Sequence, residues 1–322
     1  MSRALAALTN QFWAIDPSWL PLMASIAQRG SGNSNLESSR EWVKRDHLAM
    51  AGPGAQKLPG ANRAYVVDGV GVLPITGPIF PRANLLTEVS GASSLTMLQN
   101  DHRLLLASKE VRGIMLLLDS PGGAVSGVAD FASRVALGAA RKETRAFVMG
   151  SAASAAYWIA SSASHISIDR TAVLGSIGVV AAVPKQVEPD ESGEIWIEVV
   201  SSNAPNKRPD PQSEDGLSVI RGSLNAIEGV FIGDVAKGRK VSISKVRSEF
   251  GQGGVLIGAD AVKAGMVDKV ESQSAAMNAV RMLARIGGGQ RVAARGSLRI
   301  SADAQRRANL RRLTALRPRA SP

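Results

Sequence analysis

The run Gly113-Ile-Met-Leu-Leu-Leu-Asp119 holds five consecutive apolar residues with no polar alternation. A strand with one wet face alternates apolar and polar side chains; this one offers water neither face, as expected of a parallel-sheet strand covered by helices on both sides. Pro121-Gly122-Gly123 stops it, and Val125, Val128, Phe131 and Val135 follow at helical spacing. The pattern then repeats. A strand is predicted over 146–149, a helix over 154–162, and strands over 165–169 and 177–183. Strands alternating with helices of this length predict an α/β fold of right-handed βαβ units with a mainly parallel sheet.

Around this centre, Tyr65-Val-Val-Asp-Gly-Val-Gly-Val-Leu73 reads as a β-hairpin turned at Asp68-Gly69, a dipeptide suited to the positive φ of a type I′ turn. Ser94 caps a helix carrying Leu95, Leu98 and Leu105. Farther on come a half-exposed strand over 194–200 and helices over 215–237 and 242–250. Residues 1–63 read as an N-terminal segment bearing Trp13 and Trp19, followed from 28 by a loose linker rich in Gly, Ser, Asn and Pro. The compact domain spans 64–280, and 281–322 form an arginine-rich tail in which Ser301 starts a short helix.

Charge divides along the same line. The net +11 of the 322 residues resides almost wholly after Val280, where eleven arginines face one acid, Asp303. The rest carries 27 basic and 26 acidic side chains, so a nucleic-acid-binding core is not expected. The tail is either a solvated terminus or a contact for acidic protein or nucleic acid. No cysteine is present, which excludes disulfides, zinc–thiolate sites and a thiol nucleophile. The segment lacks a signal-peptide pattern at its start, and the uncharged stretch 146–168 is diluted by six serines and a histidine. A buried helix between strands is expected there rather than a membrane span.

Three segments bear on chemistry. A double glycine at the end of a buried strand lets backbone N–H groups reach open space, where they can hold an oxyanion; alternatively Pro-Gly-Gly only turns the chain. Ser154 lies among Ala152, Ala153, Ala155 and Ala156 at a helix start, where an ordinary capping or packing serine also fits, and Ser151 is a rival. A serine nucleophile needs a base. His165 falls in a buried strand, His47 in the linker and His102 on an outer helix. Lys207, after a strand in Asn203-Ala-Pro-Asn-Lys-Arg-Pro-Asp210, serves only if burial disfavours its charged form, and is otherwise a surface lysine.

Asp119-Ser-Pro-Gly-Gly123, the Ala-Ala-Ser-Ala-Ala-Tyr-Trp stretch ending at Trp158, and Leu174-Gly-Ser-Ile-Gly-Val179 stand in an order that resembles the signal peptide peptidase A family. The resemblance runs from about Val70 to Val270, with Gly258-Ala-Asp-Ala-Val-Lys-Ala-Gly-Met-Val-Asp268 near its end. It implies a crotonase-type, Clp-protease-like fold and a serine–lysine dyad. Carried over by position, Ser154 is the nucleophile, Lys207 the general base and Ser176 a serine orienting the lysine. The amides of Gly122 and Gly123 fall at the oxyanion hole. Two departures stand out: Ser-Ala-Ala replaces the frequent Ser-Gly-Gly, and Ala-Pro-Asn precedes the lysine.

Gly77-Pro-Ile-Phe-Pro-Arg82 and the tryptophan-bearing lead are similar to the bacteriophage branch, the head maturation or capsid assembly proteases. That likeness implies protein substrates (scaffold, portal or coat proteins), a homo-oligomer, no cofactor, no metal and no integral membrane segment. The expected location is the host cytoplasm or the prohead. Other readings are a cellular-type signal peptide peptidase, a Clp-type Ser-His-Asp peptidase, an acyl-CoA hydratase or isomerase, and a non-catalytic capsid assembly factor that retains the fold.

Overall fold

The computed structural model describes residues 12–21, 23, 36–83, 87, 91–183 and 200–283. At its centre three parallel strands lie side by side: β4 (Val70–Thr76), β7 (Gly113–Ser120) and β9 (Glu143–Ala153). Their side chains sort by parity into two cores. Leu73, Ile75, Ile114, Leu116, Leu118, Ala146 and Val148 face one side, with Leu98, Leu105, Phe131 and Val135. Val70, Val72, Met115, Leu117 and Phe147 face the other, with Tyr65, Val67, Met277 and Val280. The unbroken apolar run of β7 is thereby explained, since both of its faces are dry. Fully burying each such side chain contributes roughly 1.5–3 kcal/mol.

The hairpin forms as expected, with β3 (Tyr65–Val67) antiparallel to β4. Asp68 and Gly69 both have positive φ, 51° and 79°, as a type I′ turn requires. β2 (Gln56–Lys57) extends this edge. At the other edge β9 pairs through its first half with β10 (His165–Ile168) and through its last three residues with β11 (Val173–Gly175), both parallel. β13 (Val255–Ile257) pairs antiparallel with β11, and β14 (Lys269–Val270) parallel with β10. A second, smaller sheet is ordered β12 (Val180–Ala181), β1 (Phe12–Ile15), β8 (Gly122–Ala124), β5 (Ile79–Phe80) and β6 (Ser93–Ser94).

The helices are α1 (Leu36–Ala51), α2 (Leu95–Ala107), α3 (Val128–Ala139), α4 (Ala155–Ala160), α5 (Glu214–Arg239), α6 (Ile243–Glu249) and α7 (Gly258–Ala264). The architecture is a mixed α/β fold whose central strands are parallel, compatible with a Clp-protease-like arrangement. Among the described residues no helix is long and apolar enough to cross a membrane.

Three local readings change. The supposed linker over 28–63 contains α1, whose Val43, His47 and Ala51 recur every fourth residue and are buried; His47 therefore sits on a helix. That face is short and interrupted by charges, so its period was hard to see among the Gly- and Ser-rich flanks. Of the strand expected over 177–183 only β12, Val180–Ala181, forms; β11 lies before the expected start, and Ser176, turning at φ 51°, ends it. β9 runs four residues past the expected end: a bulge sets Ser120 opposite Ala152 although Leu118 stands opposite Val148, which lengthens the bulged strand without breaking the ladder. The strand over 194–200, all but its last residue, lies outside the described residues, as do the Ser301 helix and nearly all of the tail.

Candidate active site

Ser154 is the residue at which β9 becomes α4. Its backbone adopts φ 52°, ψ −117°, a conformation a non-glycine residue holds only at a cost of order 1–3 kcal/mol. The surroundings impose it. The Ser154 N–H donates to the Gly175 carbonyl at 2.7 Å, and the Ser154 carbonyl accepts from the Trp158 N–H at 2.9 Å. The side chain is wholly buried, and its hydroxyl points toward the Gly178 carbonyl at 3.4 Å. Ala153, Ala155 and Ala156 are fully or almost fully buried around it. That is the packing reason for small residues on both sides.

α4 is held from beneath. Trp158 stacks on Phe231 of α5, ring centroids 4.4 Å apart, and its indole N–H donates to Asp234 at 2.9 Å. The Tyr157 hydroxyl donates to the Met266 carbonyl at 2.9 Å. Asp268 accepts both Arg239 guanidinium N–H groups, at 2.7 and 3.0 Å, and the Ile166 N–H at 2.7 Å. Burial alone would raise the Asp268 carboxyl; these bonds and the Arg239 charge outweigh it and hold it below its ordinary value.

The double-glycine turn lies against the serine. A Cβ on Gly122 would sit 2.9 Å from the Ala153 carbonyl oxygen and 3.0 Å from the Ala155 nitrogen, so only glycine lets the two chains approach. The two glycine amides have different fates. Gly122 N–H donates to Ser120 Oγ at 3.2 Å, and that hydroxyl donates in turn to the Gly77 carbonyl at 2.6 Å. Gly123, the next residue of β8, stands opposite Ala14 of β1. Asp119 anchors the start of the turn by accepting the Ser151 N–H at 3.0 Å; burial raises its carboxyl, and the Ser151 bond partly counters this.

Ser176 is nearly buried, and its N–H donates to the Gly254 carbonyl at 2.7 Å. The Gly175 carbonyl that holds Ser154 and this Ser176 N–H belong to one peptide group. Lys207 is placed differently. It ends the 3₁₀ turn Pro205–Lys207 and is exposed, and among the described residues no hydrogen bond joins its amine to Ser154 or Ser176. The structure thus brings Ser154, Ser176, Gly122 and Gly123 together, while among the described residues no hydrogen bond ties Lys207 to either serine.

The histidines are accounted for elsewhere. His47 Nε2 meets Thr76 Oγ1 at 2.9 Å, and burial with help from Arg63 lowers its pKa to about 3. Burial and Arg134 lower that of His102, edge-on to Phe131, to about 4. His165 lies 3.5 Å from Asp268. Sequence reasoning missed Ser120 as the clasp of the turn, although it quoted the motif containing it. It also missed β1, whose tryptophan it noted without a role.

Residues 137–287 match the model of Peptidase family S49. Over this stretch, just under half of the chain, the sequence is similar to that family. The Peptidase family S49 match contains Ser154, Ser176 and Lys207, and the Gly122–Gly123 turn precedes it. Similar proteins include a head-tail preconnector protein of Enterobacteria phage P21, 25% identical over 86% of this chain and 56% of the relative. A capsid assembly protease of Escherichia phage lambda is 26% identical over 85% of this chain and 66% of its own length. Protease 4 of Haemophilus influenzae is 27% identical over 70% of this chain and 37% of the relative. The chain thus spans under two thirds of each of these relatives.

Proposed function

We propose that this chain is a serine endopeptidase that cuts capsid-associated proteins during phage head maturation. Ser154 Oγ attacks the substrate carbonyl, its proton passes through Lys207 to the leaving amine, and water then hydrolyses the acyl-enzyme. Negative charge on the tetrahedral oxygen falls beside the Gly122–Gly123 turn. With the Gly122 amide engaged by Ser120, the Gly123 amide and the first amide of α4, at Ala155, are the donors best disposed to receive it. Ser176 orients the base.

The observation that carries this reading is Ser154 itself: buried, strained, and clasped between the glycine turn and Gly175. A structural serine has no need of such a backbone. Lys207 must be desolvated to accept a proton, so closure of a substrate or a second copy over Pro205–Lys207 belongs to the proposal, as does action in the host cytoplasm or prohead. Similarity to a capsid assembly protease and a head-tail preconnector protein supports capsid-associated substrates, which we take to be scaffold, portal or coat proteins.

The test is mass spectrometry of the structural proteins co-expressed with wild-type chain or with Ser154→Ala, Lys207→Ala or Lys207→Arg. Arginine keeps the charge but does not give up its proton. All three variants are expected to leave the substrates uncut. Cleavage that persists in Ser154→Ala sinks the serine mechanism, and cleavage in Lys207→Arg sinks the dyad. Capsid assembly that proceeds equally with every variant, without proteolysis, would favour a non-catalytic assembly factor.

A further inference from the structure

β1 lies across the candidate site as a peptide substrate would. It is antiparallel to strands on both sides: Trp13, Ala14 and Ile15 stand opposite Ala124, Gly123 and Gly122, and on the other edge Phe12 and Trp13 stand opposite Ala181 and Val180. The Val125 N–H donates to the Phe12 carbonyl at 3.1 Å and the Asp16 N–H to the Pro121 carbonyl at 2.8 Å. These bonds bracket the Ala14–Gly123 pair, so by antiparallel alternation Ala14 and Gly123 are the pair that exchanges N–H···O bonds. The Ala14 carbonyl therefore faces the Gly123 amide, the donor proposed above for the oxyanion.

The same carbonyl oxygen lies against the Cα of Gly122, where an added Cβ would collide with it while also crowding Ala153 and Ala155 on either side of Ser154. Trp13, Ala14 and Ile15 are 0%, 0% and 2% exposed, and the Trp13 ring meets Phe80 edge-on at 6.0 Å. Ser154 is itself 0% exposed. An extended backbone paired along both edges, with the Ala14 carbonyl against the turn that packs on Ala153 and Ala155, has the form of a peptide bound by strand addition.

We infer that Phe12–Ile15 is an internal substrate and that the chain cuts itself between Ala14 and Ile15. The inference rests on the serine-peptidase reading. Ser154 Oγ bonds to the Ala14 carbonyl carbon and the Ala14–Ile15 C–N bond breaks. The serine proton passes by way of the general base to the Ile15 nitrogen, which becomes a new amino terminus. Water then adds to the ester, freeing Ser154 and leaving a carboxylate on Ala14. Cleavage severs the strand's covalent tie to the body, so the segment ending at Ala14 can leave and the groove opens to other proteins.

The full chain is purified, incubated, and read by intact mass and N-terminal sequencing, as wild type, Ser154→Ala and Ile15→Pro. Labelling of Ser154 by a fluorophosphonate probe is followed in parallel. Wild type is expected to yield a product beginning Ile15-Asp16-Pro17. Ser154→Ala is expected to stay intact, and Ile15→Pro, whose leaving nitrogen is tertiary and hindered, to lose at least nine tenths of this cleavage while keeping the wild-type circular dichroism and, with the groove still filled, taking up the probe more slowly than cleaved wild type. If wild type takes up the probe but keeps the Ala14–Ile15 bond whole, the inference fails and the peptidase reading stands. If Ser154 takes up no probe and no protein is cut, the peptidase reading fails and the inference with it. The same product from Ser154→Ala would trace the cut to another protease and overturn self-cleavage.

Discussion

The Gly175 carbonyl holds the Ser154 amide at 2.7 Å, and the residue after Gly175 is Ser176, whose own amide is held by Gly254. One stretch of backbone thus fixes both serines. It can do so because Gly175 sits at φ 130°, where an L side chain is strained, and because an added Cβ would come within 2.6 Å of the Gly254 oxygen. Gly175→Ala is expected to cost about 1–3 kcal/mol in a urea melt. It should lower kcat more than it raises KM, since the displaced peptide positions the nucleophile rather than the substrate.

Arg239 and Asp268 tie the end of α5 to the strands beneath α4. Arg239→Met removes two charge-assisted bonds to Asp268 and a third to the Gly265 carbonyl, and leaves a half-buried carboxylate with the Ile166 N–H and His165 beside it. A loss of about 2–3 kcal/mol is expected in chemical denaturation. The sign of its pH dependence is fixed. The folded Asp268 has the lower pKa, so its contribution is full above the ordinary carboxylate range and disappears as pH falls through the folded value. In the variant that part of the acid dependence should vanish.

His47 gives a second, separate acid effect. The Thr76 hydroxyl donates to the Gly91 carbonyl at 2.7 Å, so it accepts from His47, which must be the neutral Nε2–H tautomer. Around it lie the Arg63 charge and the carboxyls of Asp46 and Asp119 in the adjoining cleft. The unfolded histidine takes its proton near 6.5 and the folded one only at about 3. Below pH 6.5 the unfolded state therefore binds more protons, and stability falls as pH drops toward about 3; above 6.5 it is intact. The effect reaches at most about 2 kcal/mol at pH 5. His47→Gln keeps the bond to Thr76 without titrating, so urea melts at pH 7, 6 and 5 should lie closer together than for wild type.

How much of this was legible in the sequence depended on whether the signal was local. The apolar run of β7, the Asp68-Gly69 turn and the spacing of Phe131 and Val135 each declare themselves within a few residues, and the central ladder follows from them. Ser154 and the Gly122–Gly123 turn were legible as motifs. What stayed hidden depends on residues distant in the chain. Nothing near Trp13 says that it will pair with Ala124 and Val180, and a strand of four residues is too short to show its period. α1 hid because its buried face shows only Val43, His47 and Ala51, with Lys44, Arg45 and Asp46 between the first two and the exposed Leu48 breaking the pattern after them. The exposure of Lys207 is likewise a property of what packs over it, which its neighbours in sequence do not encode.

The strain at Ser154 leads to the sharpest test of its role. At φ 52°, ψ −117° glycine is comfortable and serine is not, so Ser154→Gly should relieve the backbone. The relief is about 1 kcal/mol, offset slightly by glycine's greater freedom in the unfolded chain. For a domain of this size that raises Tm by about 2–4 °C. The same change removes the nucleophile and should lower peptide cleavage by at least ~10³-fold. A serine kept for packing would behave oppositely, because losing its hydroxyl contact with Gly178 would lower Tm. Calorimetry of wild type, Ser154→Ala and Ser154→Gly separates the two: only a strained nucleophile places glycine above serine in stability while both variants are inactive.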